Sequence, residues 1–232
     1  MASQVVRDLI DRVAERRKGD DLWYCELIIG FAACNHGELA GLVYQKALQN
    51  AVDDVEKKEI WSRIREAILK AMVYLGQARL LAAELALFEV LKLEDVDQET
   101  PQRDWKDDEH GKMKAVDWLT TLSGTEFADR FVTLADERCP DLSHYLITLS
   151  NGHVMTDERV LDMVETERLI LLALMAQNVG WWAQSHYRAL IRVGGTKEMA
   201  HAANELALEI TKTFGIKIDG ASNVDELCDS AI

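Results

Sequence analysis

The chain has 232 residues, 48% apolar and 28% charged, with 40 acidic against 26 basic side chains and a formal net charge of -14. Such acidity opposes binding to phosphate backbones and anionic membrane surfaces, and no apolar run approaches the roughly 20 residues that a bilayer crossing takes. With 2 prolines and 13 glycines among long stretches rich in Ala, Leu and Glu, the composition points to helices rather than strands.

In chain order, Val5, Val6, Leu9, Ile10 and Val13 give a first amphipathic helix with Ser3 as its cap. Asp20 and Asp21 cap a second, Leu22 to Asn35, which is apolar nearly all round and therefore buried on most sides. After Gly37 a third helix runs from Glu38 to Val52, and two more, 55–75 and 78–93, flank Gly76. Residues 93–113 are acidic, contain a proline and lack sustained periodicity, so they read as a linker whose Trp105 docks against the core.

Helices resume at 114–122, at 126–138 (capped by Thr125) and at 141–150, with Pro140 in the first turn of the last. Thr156-Asp157-Glu158 opens the segment leading to a helical hairpin, E-R-L-I-L-L-A-L-M-A-Q-N-V-G-W-W-A-Q-S-H-Y-R-A-L-I-R-V-G-G, from Glu167 to Gly195, broken at 177–180. Thr196 caps a final helix, 197–214, and a polar tail from Gly220 is expected to fray. The organisation is thus an N-terminal helical half (1–92), an acidic linker (93–113), a second half (114–219) and a tail (220–232).

The N-terminus mixes acids with bases and has no secretory apolar core, so a mature cytoplasmic chain is the expectation. Cys25, Cys34, Cys139 and Cys228 are scattered singly, without C-x-x-C or zinc-like spacing. They read as small buried apolar residues, except Cys228, which the polar tail exposes. His36 sits at a helix end facing the dipole and His110 in the solvated linker. His144, His153 and His201 have no acid or cysteine at ligand spacing, so no metal site is expected. No glycine-rich phosphate loop and no G-x-S-x-G elbow occurs.

Within the hairpin, Val179, Trp182, His186, Ala189, Leu190 and Val193 form one stripe, which sets His186 in an apolar, inward face. Taken alone, a core histidine with one hydrogen bond is the better reading, and Glu167 is a helix-start charge favoured by the dipole. Glu167 lies roughly 16 Å before the bend and His186 roughly 9 Å after it, at 1.5 Å per residue, so spacing does not force them together.

The hairpin resembles the core of the AhpD-like/carboxymuconolactone decarboxylase superfamily, in which a Glu, a Cys-x-x-Cys pair and a following His form a proton relay. The similarity rests on the Glu167 to His186 spacing and on Arg192-Val193-Gly194-Gly195-Thr196-Lys197-Glu198 downstream. D-L-W-Y-C-E-L-I-I-G-F-A-A-C-N and I-R-E-A-I-L-K-A-M-V-Y-L-G also resemble fungal AhpD-like proteins. The resemblance implies an all-α helical bundle of two related hairpin halves that assembles as a homo-oligomer, a dimer or larger. Aligning Gly76 with Gly180 brings out such a repeat, with Arg63 opposite Glu167 and Ala82 opposite His186. Val179 and Trp182 stand where the peroxidase branch has its cysteines, and neither supplies the thiolate that a hydroperoxide reductase needs.

What remains is a Glu/His pair walled by Val179, Trp181, Trp182 and Tyr187, which resembles the cofactor-free decarboxylase branch more closely. It implies His186 as general acid/base, oriented by Glu167, acting without cofactor on a small aromatic or polyketide-like metabolite as a decarboxylase, isomerase or lyase. The competing reading is a non-catalytic helical module for oligomerisation or partner binding. A cavity beside His186 favours the first, and close packing favours the second.

Overall fold

The computed structural model describes residues 3–96, 103, 105–219 and 223–230, and among them the chain is all-helical, with twelve α-helices and no strand. Five build the N-terminal half: α1 (Gln4–Arg16), α2 (Trp23–Ala33), α3 (Ala40–Asn50), α4 (Asp54–Leu75) and α5 (Gln77–Phe88). Seven follow: α6 (Asp108–Ser123), α7 (Thr125–Arg138), α8 (Pro140–Ser143), α9 (Met163–Ala176), α10 (Gly180–Arg192), α11 (Lys197–Thr213) and α12 (Val224–Asp229). A π-helical segment, His144–Met155, joins α8 to the loop before α9. No described helix is long and apolar enough to cross a membrane.

α9 organises the packing. Every residue from Thr166 to Ala176 is buried, the run from Leu169 onward being apolar on all sides. Its Leu169, Leu172, Ala173 and Ala176 join a core formed with α1 to α5. Its Ile170, Leu171, Leu174 and Met175 join a second core with α6, α7, α10 and α12. α11 is shared in the same way, giving Leu206 and Ile210 to the first core and Ala200, Ala203 and Ala207 to the second. The two halves therefore meet along helices that belong in sequence to the second half. α2, buried along its whole length, packs in the first core. Gly30 leaves no room for a Cβ against the Ile210 side chain, so α11 lies close upon α2.

Several sequence expectations are corrected. Ser3 makes no side-chain cap bond, and α7 starts after Gly124 (φ 89°) without a Thr125 cap. Asp53 and Asp107 are true caps, accepting backbone N–H groups at the starts of α4 and α6. α6 begins at Asp108, inside the expected linker, because Gly111 lets it approach the π-helix at Gly152, where a Cβ would strike the Gly111 carbonyl. Residues 97–102 and 104 of that linker lie outside the described residues. Trp105 docks by one face on His153, with ring centroids 6.0 Å apart, yet it stays 46% exposed.

Cys228 is buried, not exposed, because residues expected to fray form α12 and drive Val224 and Cys228 into the second core. Cys139 is the exposed thiol. His36 stacks on Phe214 at 4.0 Å and hydrogen-bonds the Glu38 carboxylate at 3.1 Å. Acids distant in sequence do approach two other histidines: Asp225 lies 3.0 Å from His201, and Asp108 3.8 Å from His153. Among the described residues no group of three His, Cys, Asp or Glu side chains can hold a metal ion.

Candidate functional site

The hairpin geometry comes first. Asp162 caps α9, its carboxylate accepting from the Glu165 N–H at 2.8 Å while Glu165 accepts from the Asp162 N–H at 3.1 Å. These two residues supply the helix-start charge, so Glu167 sits a turn further in, with no exposed surface at all. Beyond Ala176 the chain reverses through Asn178, at φ 60°, a left-handed conformation that Asn tolerates better than most side chains. Val179 then accepts the Trp182 and Ala183 N–H groups at the start of α10.

This reversal brings Glu167 and His186 together, with His186 Nδ1 2.8 Å from Glu167 Oε2. His186 is 4% exposed. An ionised carboxylate only accepts, so this contact fixes the proton on Nδ1 and leaves Nε2 as the basic nitrogen. Glu167 Oε1 is buried and has no hydrogen-bond partner among the described residues. A buried acceptor left unpaired costs stability, and such sites are commonly completed by a ligand or water.

Aromatic rings flank the imidazole. The Trp182 ring lies 6.1 Å away, and Trp181 stacks on Trp182 at 5.8 Å and 12°. Trp182 is 39% exposed and Trp181 77%, so the pair marks the solvent side of the site. Of the residues expected to form the walls, Trp182 lies against the imidazole, with Trp181 stacked outside it. Tyr187 is buried in the second core, where its hydroxyl donates to Asn204 Oδ1 at 3.0 Å. Val179 packs on that same core.

Tyr74, on α4, was not anticipated. Its ring stands edge-on to the imidazole at 5.5 Å and 88°, and 5.3 Å from the Trp182 ring. Burial, followed by the Glu167 charge, pushes its phenol above the usual range. Ala67, Ala71 and Tyr74 recur at helical spacing, which turns Tyr74 toward the packed face of α4 but does not say which helix it meets.

Two buried charge clusters brace the surrounding helices. Lys70 Nζ donates to Thr166 Oγ1 (2.7 Å), Leu161 O (3.2 Å) and Met155 O (3.3 Å), and burial pulls its amine down to about 8. Arg63, aligned opposite Glu167 in the repeat, pairs with Glu165 instead, and Ala82, opposite His186, is exposed. At the start of α2, Arg17 and Arg168 pair with buried Glu26 and with Asp20. Burial of Asp20 works against its charge, but Arg168 and Arg17 overcome this and hold it at about 2. Surface cavities of 720, 380 and 470 Å³ are lined by other residues than Glu167 and His186.

The chain is similar to Peroxisomal protein 2 of Schizosaccharomyces pombe, at 23% identity over 197 residues. That match spans 85% of this chain and 89% of that protein. No family model matches the chain. No solved structure matches it.

Proposed function

We propose that this protein is an AhpD-like helical enzyme that moves a proton on or off carbon without cofactor or cysteine. Its substrate would be a small aromatic or polyketide-like metabolite, handled in a decarboxylase, isomerase or lyase reaction. The observation that carries this reading is the buried 2.8 Å contact between His186 Nδ1 and Glu167 Oε2, which leaves Nε2 as a base and Oε1 without a partner among the described residues. Val179 and Trp182 contribute no thiol, so peroxide reduction has no nucleophile at this position. The stacked indoles give an apolar entrance suited to a flat substrate.

Screening aromatic acids and lactones by thermal shift, then by turnover of those that bind, tests this. His186→Gln is expected to abolish turnover of any substrate found while remaining folded by circular dichroism, at a somewhat lower melting temperature. Undiminished turnover would remove His186 from the mechanism.

A second reading, a non-catalytic module for assembly, draws on two observations. His186 and Glu167 are almost wholly enclosed. Leu81, Leu85 and Phe88 form an exposed apolar stripe along α5, the kind of face that pairs with another helix. A monomer by light scattering at micromolar concentration would count against assembly. The relative's name raises a peroxisomal location beside the cytoplasmic one expected from the sequence, and a fluorescent fusion imaged with a peroxisomal marker separates the two.

A further inference from the structure

A base alone does not complete carbon–proton chemistry. When a proton leaves a carbon beside a carbonyl, the C–H pair forms a C=C bond and the carbonyl pair moves onto oxygen, giving an enolate. Loss of CO2 from a β-keto acid sends the C–C pair to the same place. A site that works without metal or cofactor needs a hydrogen-bond donor for that oxygen.

Building on the reading of His186 as the base, we infer that the Tyr74 hydroxyl is that donor and that the site takes an enolisable carbonyl compound such as a β-keto acid. Tyr74 arrives on α4, from the other half of the chain, and sets its ring edge-on to the imidazole at 5.5 Å and against Trp182 at 5.3 Å. Tyr187 spends its hydroxyl on Asn204 and Tyr44 spends its own on Asp95. The Tyr74 hydroxyl makes no hydrogen bond to any described residue. A phenol with an unspent hydroxyl thus packs on the imidazole, whose Nδ1 is held by Glu167, an acid with one oxygen unpartnered among the described residues. Burial and the Glu167 carboxylate keep the phenol protonated, so it is a donor at neutral and mildly alkaline pH.

The steps balance without an oxidant or reductant. His186 Nε2 takes the α-proton, and the enolate oxygen accepts the Tyr74 O–H hydrogen bond without taking its proton. The imidazolium, held by Glu167, then returns its proton to carbon. In decarboxylation no α-proton is taken: His186 enters as the imidazolium, protonated from solvent, and gives that proton to the carbon vacated by CO2. The first half of the chain would thus complete a site whose base and orienting acid lie on the second.

The test uses the full chain and its Tyr74→Phe variant, which keeps the ring and removes the donor. One readout is binding of 4-nitrophenolate, a stable oxyanion, followed by absorbance titration. The Phe variant is expected to bind it about ten- to a hundredfold more weakly than wild type, as loss of a hydrogen bond to a charged group implies. The other readout is α-hydrogen exchange of acetoacetate in D2O by proton NMR, where the Phe variant should lose kcat rather than gain KM and His186→Gln should lose exchange altogether. Equal nitrophenolate binding by wild type and variant, or binding by neither, overturns the role of Tyr74. Tyr74-dependent nitrophenolate binding without any exchange in wild type leaves that role standing and overturns His186 as the base. Should the Phe variant not fold, 3-fluorotyrosine at position 74 gives a stronger donor of the same shape, and unchanged nitrophenolate affinity would sink the proposal.

Discussion

The ammonium of Lys70 on α4 lies 2.7 Å from the hydroxyl of Thr166 on α9, one residue before Glu167. It also donates to the carbonyls of Met155 and Leu161, so one cation ties together α4, the end of the π-helix, the following loop and the helix that carries the site acid. Burial lowers its pKa from 10.5 to about 8. Between those values the unfolded chain binds more protons than the folded one, so the Lys70 contribution to stability rises with pH across that window. That fall in pKa corresponds to about 3 kcal/mol. Buried thiols and phenols titrate in an overlapping range, so the quantity to measure is a difference. Urea unfolding of wild type and Lys70→Met from neutral to strongly alkaline pH is expected to show the wild-type advantage growing by about that amount, and a pH-independent difference would contradict it.

A second prediction concerns the Glu167–His186 contact itself. Both side chains are buried, so their coupling is not screened by solvent as a surface pair would be. A double-mutant cycle with Glu167→Gln and His186→Gln, read by urea unfolding, is expected to give a coupling of about 1–3 kcal/mol. Additive single effects would mean that the two side chains do not meet in solution.

The fold class was legible because nearly every apolar residue recurs at helical spacing, and α2, apolar nearly all round, was readable as buried. The meeting of Glu167 and His186 was not, since it depends on the left-handed Asn178 and on how far the hairpin closes, and spacing fixes neither. Tyr74 was missed for a different reason. Its contact with His186 spans more than 100 residues and depends on α4 packing against α9, which no local pattern announces. The early start of α6 and the π-helix escaped too. Both hinge on the close passage of Gly111 over Gly152, a tertiary contact that overrides the polar sequence of 108–113.

Trp182 should act as a partial cover. It packs on the rings of Tyr74 and His186, whereas Trp181 stacks outside it with 77% of its surface exposed. Trp181→Ala is expected to change stability by less than about 0.5 kcal/mol, as for most surface substitutions. Trp182→Ala should cost more, about 1–2 kcal/mol, through lost ring contacts. Diethylpyrocarbonate modification followed by mass spectrometry supplies the second readout. In wild type the exposed His110 and His144 should react well before His186, and Trp182→Ala should accelerate His186 selectively. An already fast His186 in wild type would show that the indole does not restrict access.

The cysteines give a test of α12. Cys139 is exposed, while Cys25, Cys34 and Cys228 are buried. Burial pushes Cys34 up to about 11 and raises Cys25 and Cys228 as well, so none of these three presents a thiolate near neutral pH. Native labelling with iodoacetamide should therefore stop at one adduct, on Cys139, and denaturant should release all four thiols. Cys228 is the informative one, because its protection depends on a short helix near the end of the chain holding Val224 and Cys228 against α10 and α11. Slow labelling of Cys228, well before Cys25, would measure local opening of α12. Labelling of Cys228 as fast as Cys139 would show that α12 does not stay docked.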